Sequence, residues 1–228
     1  MFTSPLVVLD FETTGLQPEH GDRITEVGMV RIEGGQLVDR FSSLVNCGVQ
    51  IPRSISVYTG ITQQMVDAAP PVNDVLRRMA TFTNGAAVVA HNARLDQRFA
   101  AAESRRLKIR HSAEPFICSM RLARHTYPEL DTHSLASLAL MLKLRWSGPA
   151  HRAAADAEMT AQLMLRLGVD LAARYPGEEL TPRWLRRLTS AASSPAVGSG
   201  RYSRPGSAPD NPGAPVPLPR NPLPVPAA

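Results

Sequence analysis

Two carboxylates near the start of the chain are the first residues whose spacing suggests chemistry. Asp10 and Glu12 end the apolar segment 5–12, which reads PLVVLDFE and is predicted to be a buried strand. Side chains alternate across a strand, so residues two apart point to the same face. Two adjacent buried carboxylates need a cation or a proton. The pair therefore indicates either a metal site or a strand end that runs out into solvent.

A second candidate group lies in the segment His91-Asn92-Ala93-Arg94-Leu95-Asp96. A short strand predicted over residues 86–90 gives way there to a helix, which Asn92 is expected to cap. Asp96 then falls in or just beyond the first helical turn, from which a carboxylate can reach the ligand-binding edge of an open α/β sheet. The alternative is that Asp96 only complements the helix dipole.

The third group consists of His151 and Asp156, five residues apart at the head of an alanine-rich helix. Five helical residues rotate by about 500°, which places two side chains roughly 140° apart on one helix. His151 must therefore lie in the loop before the helix if both residues serve one site, and the turn signal at residues 147–149 favours that placement. The alternative is that both are ordinary surface residues.

Taken together, the three groups predict a single site. Asp10, Glu12, Asp96 and Asp156 could converge beside His151, and an all-oxygen ligand set suits Mg²⁺ or Mn²⁺. Zinc motifs, a GxSxG nucleophile motif and glycine-rich phosphate loops are absent from the sequence.

The elements that would position these residues follow from hydrophobic periodicity. Hairpins come first and strand-helix alternation follows, which predicts an α/β fold with a mixed sheet and helices on its faces. Strands are expected at residues 5–12, 24–33, 37–45, 86–90 and 116–117, and helices at residues 71–82, 93–107, 119–125, 134–142, 152–167 and 182–188.

Composition sets the limits of this domain. The chain has 228 residues and a net charge of +5, and ten of its 20 prolines fall in residues 189–228. We therefore expect a folded domain at 1–188 and a disordered Pro/Gly-rich tail at 189–228. Cys47 and Cys118 lie in apolar surroundings typical of reduced thiols, and no apolar run is long enough to span a membrane. A cytoplasmic protein without membrane partners is expected.

The motifs resemble those of the DnaQ-like 3′→5′ exonucleases of the DEDDh class. Residues 10–15 (DFETTG) are similar to the first motif of that family, residues 91–96 to the second, and His151 with Asp156 to the third. The segment 58–62 (YTGIT) resembles a loop on the nucleotide side, and residues 132–135 a helix-opening signature. Within the family, the chain is most similar to the proofreading (epsilon) subunit of bacterial DNA polymerase III and its free-standing relatives.

The resemblance implies a ribonuclease-H-like fold and two-metal hydrolysis of phosphodiester bonds. Asp10, Glu12, Asp96 and Asp156 would hold two Mg²⁺ ions, for which Mn²⁺ can substitute, and His151 would be the general base. Further residues would contact the terminal nucleotide. These are Thr13, Thr14, Leu16, Thr59, His91 and Asn92.

The implied substrate is a single-stranded or frayed 3′ end of DNA, from which nucleoside 5′-monophosphates are released. RNA 3′-end trimming is an alternative, since the site chemistry is common to both. A third hypothesis is an interaction module that acts through its tail, whose segments 216–219 and 222–224 resemble polyproline II peptide. A polymerase or another protein is the expected partner of that tail, although no glutamine-led clamp-binding peptide is recognisable in it.

Overall fold

The protein is described here from a computed structural model, over residues 1–108 and 114–191. A five-stranded mixed sheet runs through this part of the chain in the order β3-β2-β1-β4-β5. The first three strands are antiparallel neighbours, and β4 and β5 continue the sheet in parallel pairing with β1 and β4 respectively. The strands are β1 Leu6–Thr13, β2 Ile24–Glu33, β3 Gln36–Leu44, β4 Ala87–Ala90 and β5 Ile117–Cys118. The predicted mixed sheet is confirmed.

Helices cover both faces of this sheet. They are α1 Arg53–Thr59, α2 Gln63–Asp67, α3 Val72–Thr83, α4 Arg94–Arg106, α5 Ser119–Thr126, α6 Leu135–Met141, α7 Ala153–Arg174 and α8 Pro182–Ala191, with a 3₁₀ turn at Pro18–His20. Sequence periodicity missed α1 and α2, because each is too short to show an apolar stripe. It also ended α7 at residue 167, seven residues early.

β1 is buried on both sides, and its side chains point alternately into two hydrophobic cores. Leu6 and Val8 pack with residues of α5, α7 and α8, whereas Val7 packs with residues of α3 and α4 on the opposite face. All three side chains are fully buried. The same alternation carries Asp10 and Glu12 onto the face of Leu6 and Val8. The first two candidate ligands therefore face α7.

The last helix, α8, packs on the core that contains Leu6 and Val8. Thr181 caps α8, since its hydroxyl accepts a hydrogen bond from the Trp184 backbone N–H at 3.1 Å. Trp184 and Leu185 are buried in the core formed by α5 and α7. Both cysteines, Cys47 and Cys118, are buried and unbridged, as expected.

Two further sequence predictions concern the membrane and the tail. None of the helices in the described ranges combines the length and apolar character needed to cross a membrane. The predicted tail lies outside the described residues from position 192 onward.

Candidate active site

Three carboxylates from distant parts of the chain meet at the end of β1. One oxygen each of Asp10, Glu12 and Asp156 lie within 4.8 Å of one another, and all three residues are partly buried. Asp10 and Glu12 come from β1, and Asp156 comes from the first turn of α7. The sequence placed these residues in two separate groups, and the fold brings them together.

A glycine in β2 allows α7 to reach this position. Gly28 pairs with Asp10 across the β1–β2 ladder, and cross-strand partners share a face of the sheet. A β-carbon at Gly28 would lie 2.1 Å from the carbonyl oxygen of Ala153, the first residue of α7. The start of α7 therefore packs directly on the β2 backbone, beside Asp10.

An ion pair between the buried Glu26 and the half-buried Arg152 holds the start of α7 in place. Glu26, which pairs with Glu12 across the ladder, is 2% exposed. Its carboxylate accepts hydrogen bonds from Nε and Nη2 of Arg152 at 3.0 and 2.6 Å, and from the backbone N–H of Ala153 at 3.0 Å. Charge-assisted bidentate pairs of this kind fix orientation as well as distance. Glu26 thus anchors the two residues that connect His151 to α7.

Asp96 lies beside the three-carboxylate cluster without joining it. It is 7% exposed, in the first turn of α4, and its Oδ1 accepts a hydrogen bond from the backbone N–H of Phe11 at 3.3 Å. Phe11 is the residue between Asp10 and Glu12, so α4 is attached to the end of β1 at this point. The expected fourth ligand is therefore adjacent to the site, but it is not part of the tight group of three.

Burial and mutual repulsion raise the pKa values of these acids. Burial, followed by the charges of Asp96, Asp156 and Glu12, raises the pKa of Asp10 well above its usual value. Burial is also the main reason that the pKa of Glu12 rises to about 8 and that of Asp96 to about 7. Burial raises the pKa of Asp156, although the His151 N–H partly offsets it. Near neutral pH such a cluster binds protons or a cation, and carboxylate oxygens fit a hard divalent ion.

His151 lies in the loop before α7, as predicted. Its backbone N–H donates to Oδ2 of Asp156 at 3.0 Å, and its φ of 62° is in the left-handed region. Such a backbone is uncommon for a residue with a β-carbon and persists where the surroundings hold it. The imidazole lies against the ring of Tyr58, with centroids 4.0 Å apart and planes tilted by 33°. The histidine ring is thus placed beside the carboxylates by two contacts.

Of the residues predicted to contact the nucleotide, several use their side chains within the protein. The Thr14 hydroxyl is 3.3 Å from Oδ1 of Asp22, and the Thr13 hydroxyl donates to the Gly15 carbonyl. The Thr59 hydroxyl donates to the carbonyl of Ile55. The hydroxyls of these three threonines are therefore engaged within the protein. Leu16, by contrast, is 67% exposed.

One residue of the second motif, Asn92, does not have the predicted role at the start of α4. Asn92 does not cap α4: the N-cap position is Ala93, without a side-chain hydrogen bond, and Asn92 has a φ of 62°. The left-handed backbone turns the chain at this point, and the Asn92 side chain is left exposed. His91 is 2.9 Å from the Ser119 hydroxyl and 3.0 Å from the His133 carbonyl, and burial lowers its pKa to about 4.

Sequence reasoning missed the roles of three residues of this site: Gly28, Glu26 and Tyr58. A glycine within a strand pattern often marks a close backbone approach, so Gly28 carried a usable signal. Glu26 directly precedes the apolar segment 27–30, which is a weaker signal. Tyr58 belongs to the segment 58–62 that resembles a loop on the nucleotide side, but nothing local indicated its contact with His151, which lies more than 90 residues away.

Comparisons with known proteins identify the family of this chain. Residues 7–164 match the family model described as Exonuclease. The chain is 40% identical over 162 residues to the PolC-type DNA polymerase III of Thermotoga maritima, covering 70% of this chain but only 12% of that polymerase. It is 32% identical over 169 residues to the DNA polymerase III subunit epsilon of Aquifex aeolicus, covering 74% of this chain and 83% of that subunit.

A solved structure shows the same fold. Exonuclease X in complex with 5′ overhanging duplex DNA superposes with a TM-score of 0.64 at 28% sequence identity, covering 81% of this chain and 99% of that one. The predicted ribonuclease-H-like fold is confirmed. The chain belongs to the exonuclease family, and residues 7–164 form an exonuclease domain of the DnaQ-like DEDDh type.

Proposed function

We propose that this protein removes nucleotides one at a time from the 3′ end of DNA and releases nucleoside 5′-monophosphates. The observation that carries the proposal is the convergence of Asp10, Glu12 and Asp156 within 4.8 Å, next to the backbone of His151. The relative from Aquifex aeolicus is a DNA polymerase III subunit, and Exonuclease X is bound to a DNA duplex with an overhang. Both favour DNA over RNA as the substrate.

The acidic cluster would hold two Mg²⁺ ions. Asp10, Glu12 and Asp156 are the expected ligands, with Asp96 at the edge of the same site. When bound, divalent ions lower the pKa of a water molecule and stabilise negative charge on the oxygen that leaves. Four carboxylate pKa values that burial raises, helped by like charges at Asp10, Glu12 and Asp156, support this assignment, since a bound cation stabilises the ionised form of buried carboxylates.

His151 would act as the general base that takes a proton from the attacking water. An imidazole is the side chain most often used for this step. Tyr58 covers a face of the ring, so the nitrogens at its edge stay accessible, and His151 itself is exposed. The hydrogen bond from its backbone to Asp156 keeps this base next to a metal ligand.

The substrate end would lie between the loop after β1 and the end of β4. Leu16 offers an exposed apolar side chain there, and Asn92 offers an exposed amide. By the family resemblance, Thr13, Thr14, Thr59 and His91 would complete the contacts. None of these groups reads a base pair in a groove, so low sequence specificity is expected.

The test is degradation of matched 5′-labelled single-stranded DNA and RNA, each also with a blocked 3′ end. A Mg²⁺-dependent ladder from the 3′ end that EDTA abolishes would support the proposal, and the faster substrate decides between DNA and RNA. Asp10→Asn should eliminate the ladder, while the matched control Asp74→Asn, on the exposed surface of α3, should not. Full activity of Asp10→Asn would contradict the metal site.

A second variant tests the base. His151→Gln should lower kcat by about 10²–10⁴-fold with little effect on substrate binding. A variant with unchanged kcat and weaker binding would contradict the assignment. If no ladder forms on either strand, the exonuclease proposal fails and interaction through the tail becomes the better hypothesis.

A further inference from the structure

A groove of about 870 Å³ lies between α4, α5 and α8, outside the carboxylate cluster. We call it the arginine groove, because within the part of the chain that the structure describes six arginines from three helices line it. They are Arg94, Arg98, Arg121, Arg124, Arg186 and Arg187. No part of the predicted nucleotide site other than Asn92 lines this groove, so the catalytic assignment leaves it without a role.

Four of the six arginines form no ion pair with a carboxylate of the described residues, and one of these four, Arg121, donates a hydrogen bond to the carbonyl of Thr189 instead. Arg98 pairs with Glu19, and Arg186 pairs with Glu114 at 2.8 Å. Arg94, Arg124 and Arg187 are exposed, and within residues 1–108 and 114–191 no carboxylate forms an ion pair with them. Four guanidinium groups without a carboxylate partner in the described ranges give this surface an excess of positive potential.

Two helices also begin at the arginine groove. Ala93, at the N-cap of α4, and Cys118, at the N-cap of α5, both line it, and neither caps its helix with a side chain. The positive ends of two helix dipoles therefore add to the arginine charges. This arrangement favours anions, and guanidinium groups suit phosphate oxygens in particular.

The groove borders the second motif of the candidate active site. Asn92 and Arg94 line it, and Asp96 follows in the same helical turn. Burial, and to a smaller extent the charge of Arg124, lowers the pKa of His91, which shows that Arg124 lies near the second motif. A strand that occupies the groove could therefore be the one whose end is in the site.

The groove also offers apolar surface. Phe116 and Met120 line it and are partly buried. Grooves that hold a nucleic-acid strand combine cations for the phosphates with aromatic or apolar side chains for the bases. An acidic peptide could pair with the arginines, but it has no bases that would stack on the ring of Phe116.

From these observations, we infer that the arginine groove binds the phosphodiester backbone of the nucleic acid, beyond the nucleotide that is cleaved. The inference rests on the proposed function and assigns the groove to the same substrate. It makes Arg94, Arg124 and Arg187 contributors to the binding of long substrates and not to the chemical step. Their effect should therefore grow with substrate length and fall with salt.

The experiment compares two triple variants of the full-length protein. The test variant carries Arg94→Gln, Arg124→Gln and Arg187→Gln. The control carries Arg40→Gln, Arg77→Gln and Arg166→Gln, which removes the same charge from exposed positions on β3, α3 and α7. Affinity for a fluorescent single-stranded DNA is measured by anisotropy in EDTA over a series of salt concentrations, and thermal denaturation verifies that both variants are folded.

The test variant should bind about tenfold or more weakly than the control at about 50 mM salt. The slope of log affinity against log salt should also fall by about 2, since each lost phosphate contact removes about 0.7 for a single strand. Equal affinities and equal salt slopes for the two triple variants would overturn the inference, and the groove would then belong to another ligand.

A small substrate allows the proposed function to be tested independently of the arginine groove. The p-nitrophenyl ester of thymidine 5′-monophosphate has no phosphate beyond the one that is cleaved, so its hydrolysis reports on the catalytic centre alone. The test variant should hydrolyse it at the wild-type rate. Absence of hydrolysis by the wild-type protein would count against the proposed function, while the binding comparison would still decide the role of the groove.

Discussion

Replacement of Glu12 by glutamine should stabilise the metal-free protein and abolish hydrolysis at the same time. Burial, followed by the charges of Asp156 and Glu26, raises the pKa of Glu12 from 4.5 to about 8. Between these pH values the folded protein holds a proton that the unfolded chain has released. Folding therefore loses stability as the pH rises from about 4.5 to 8, and a glutamine, which does not titrate, avoids that loss.

The size of the effect follows from the same shift. A pH of 7 lies about 2.5 units above the ordinary pKa of Glu12. Keeping this carboxyl protonated in the folded protein at pH 7 therefore lowers the free energy of unfolding by at most about 3 kcal/mol. Glu12 is partly exposed, and water screens part of this cost, so we expect a gain of about 1–2 kcal/mol. For a protein of this size that is a rise in Tm of about 2–8 °C.

The assay is thermal denaturation in EDTA from pH 5 to pH 8, with Glu129→Gln as a control on an exposed carboxylate. The difference between Glu12→Gln and the wild-type protein should widen as the pH rises, whereas the control should follow the wild type. Addition of Mg²⁺ should raise the Tm of the wild type more than that of the variant, because a bound ion replaces the missing counter-charge. The reasoning is refuted if the Tm of Glu12→Gln follows that of the wild type at every pH.

Three other predictions concern the residues around the cluster. Burial lowers the pKa of His91 from 6.5 to about 4, so the folded state binds fewer protons than the unfolded chain and stability should fall by up to about 3 kcal/mol as the pH drops through this range. Urea unfolding of the wild type and of His91→Gln would measure this, and an identical pH slope for both would contradict it. Gly28→Ala should destabilise the protein by about 1–3 kcal/mol and reduce kcat, because the new β-carbon would lie 2.1 Å from the Ala153 carbonyl and must displace α7. Chemical denaturation and steady-state kinetics provide the check, and wild-type values in both would show that α7 does not need this approach. Tyr58→Ala should lower kcat about tenfold with little change in KM, whereas Tyr58→Phe should keep it, because the ring and not the hydroxyl contacts His151. Equal single-turnover rate constants for the two variants would argue against a positioning role.

Much of the site could be read from local patterns. The alternation of β1 predicted that Asp10 and Glu12 share a face, and the structure shows that this face is the one covered by α7. Helical rotation predicted that His151 precedes the helix of Asp156, and α7 begins two residues after it. Both inferences depend only on residues close in sequence, whose relative directions are set by the repeat of a strand or a helix.

Other features depended on residues that the sequence keeps far apart. The Glu26 to Arg152 pair spans 126 residues, and the contact of Tyr58 with His151 spans more than 90. Periodicity cannot reveal which helix covers which strand, so neither contact was predicted. Even the local prediction that Asn92 caps α4 was wrong, because the chain leaves β4 through a left-handed residue and places Ala93 at the cap.

The sequence by itself determined the residue types of the site, their order along the chain and the face or loop on which each one lies. These follow from backbone geometry, which repeats over a few residues whatever the rest of the chain does. The tertiary structure alone decided that Asp156 comes within 4.8 Å of Asp10 and Glu12 while Asp96 stays beside them, and that arginines of α4, α5 and α8 share one groove. The physical reason is that these distances are set by how closely the helices pack on the sheet, down to the missing β-carbon of Gly28.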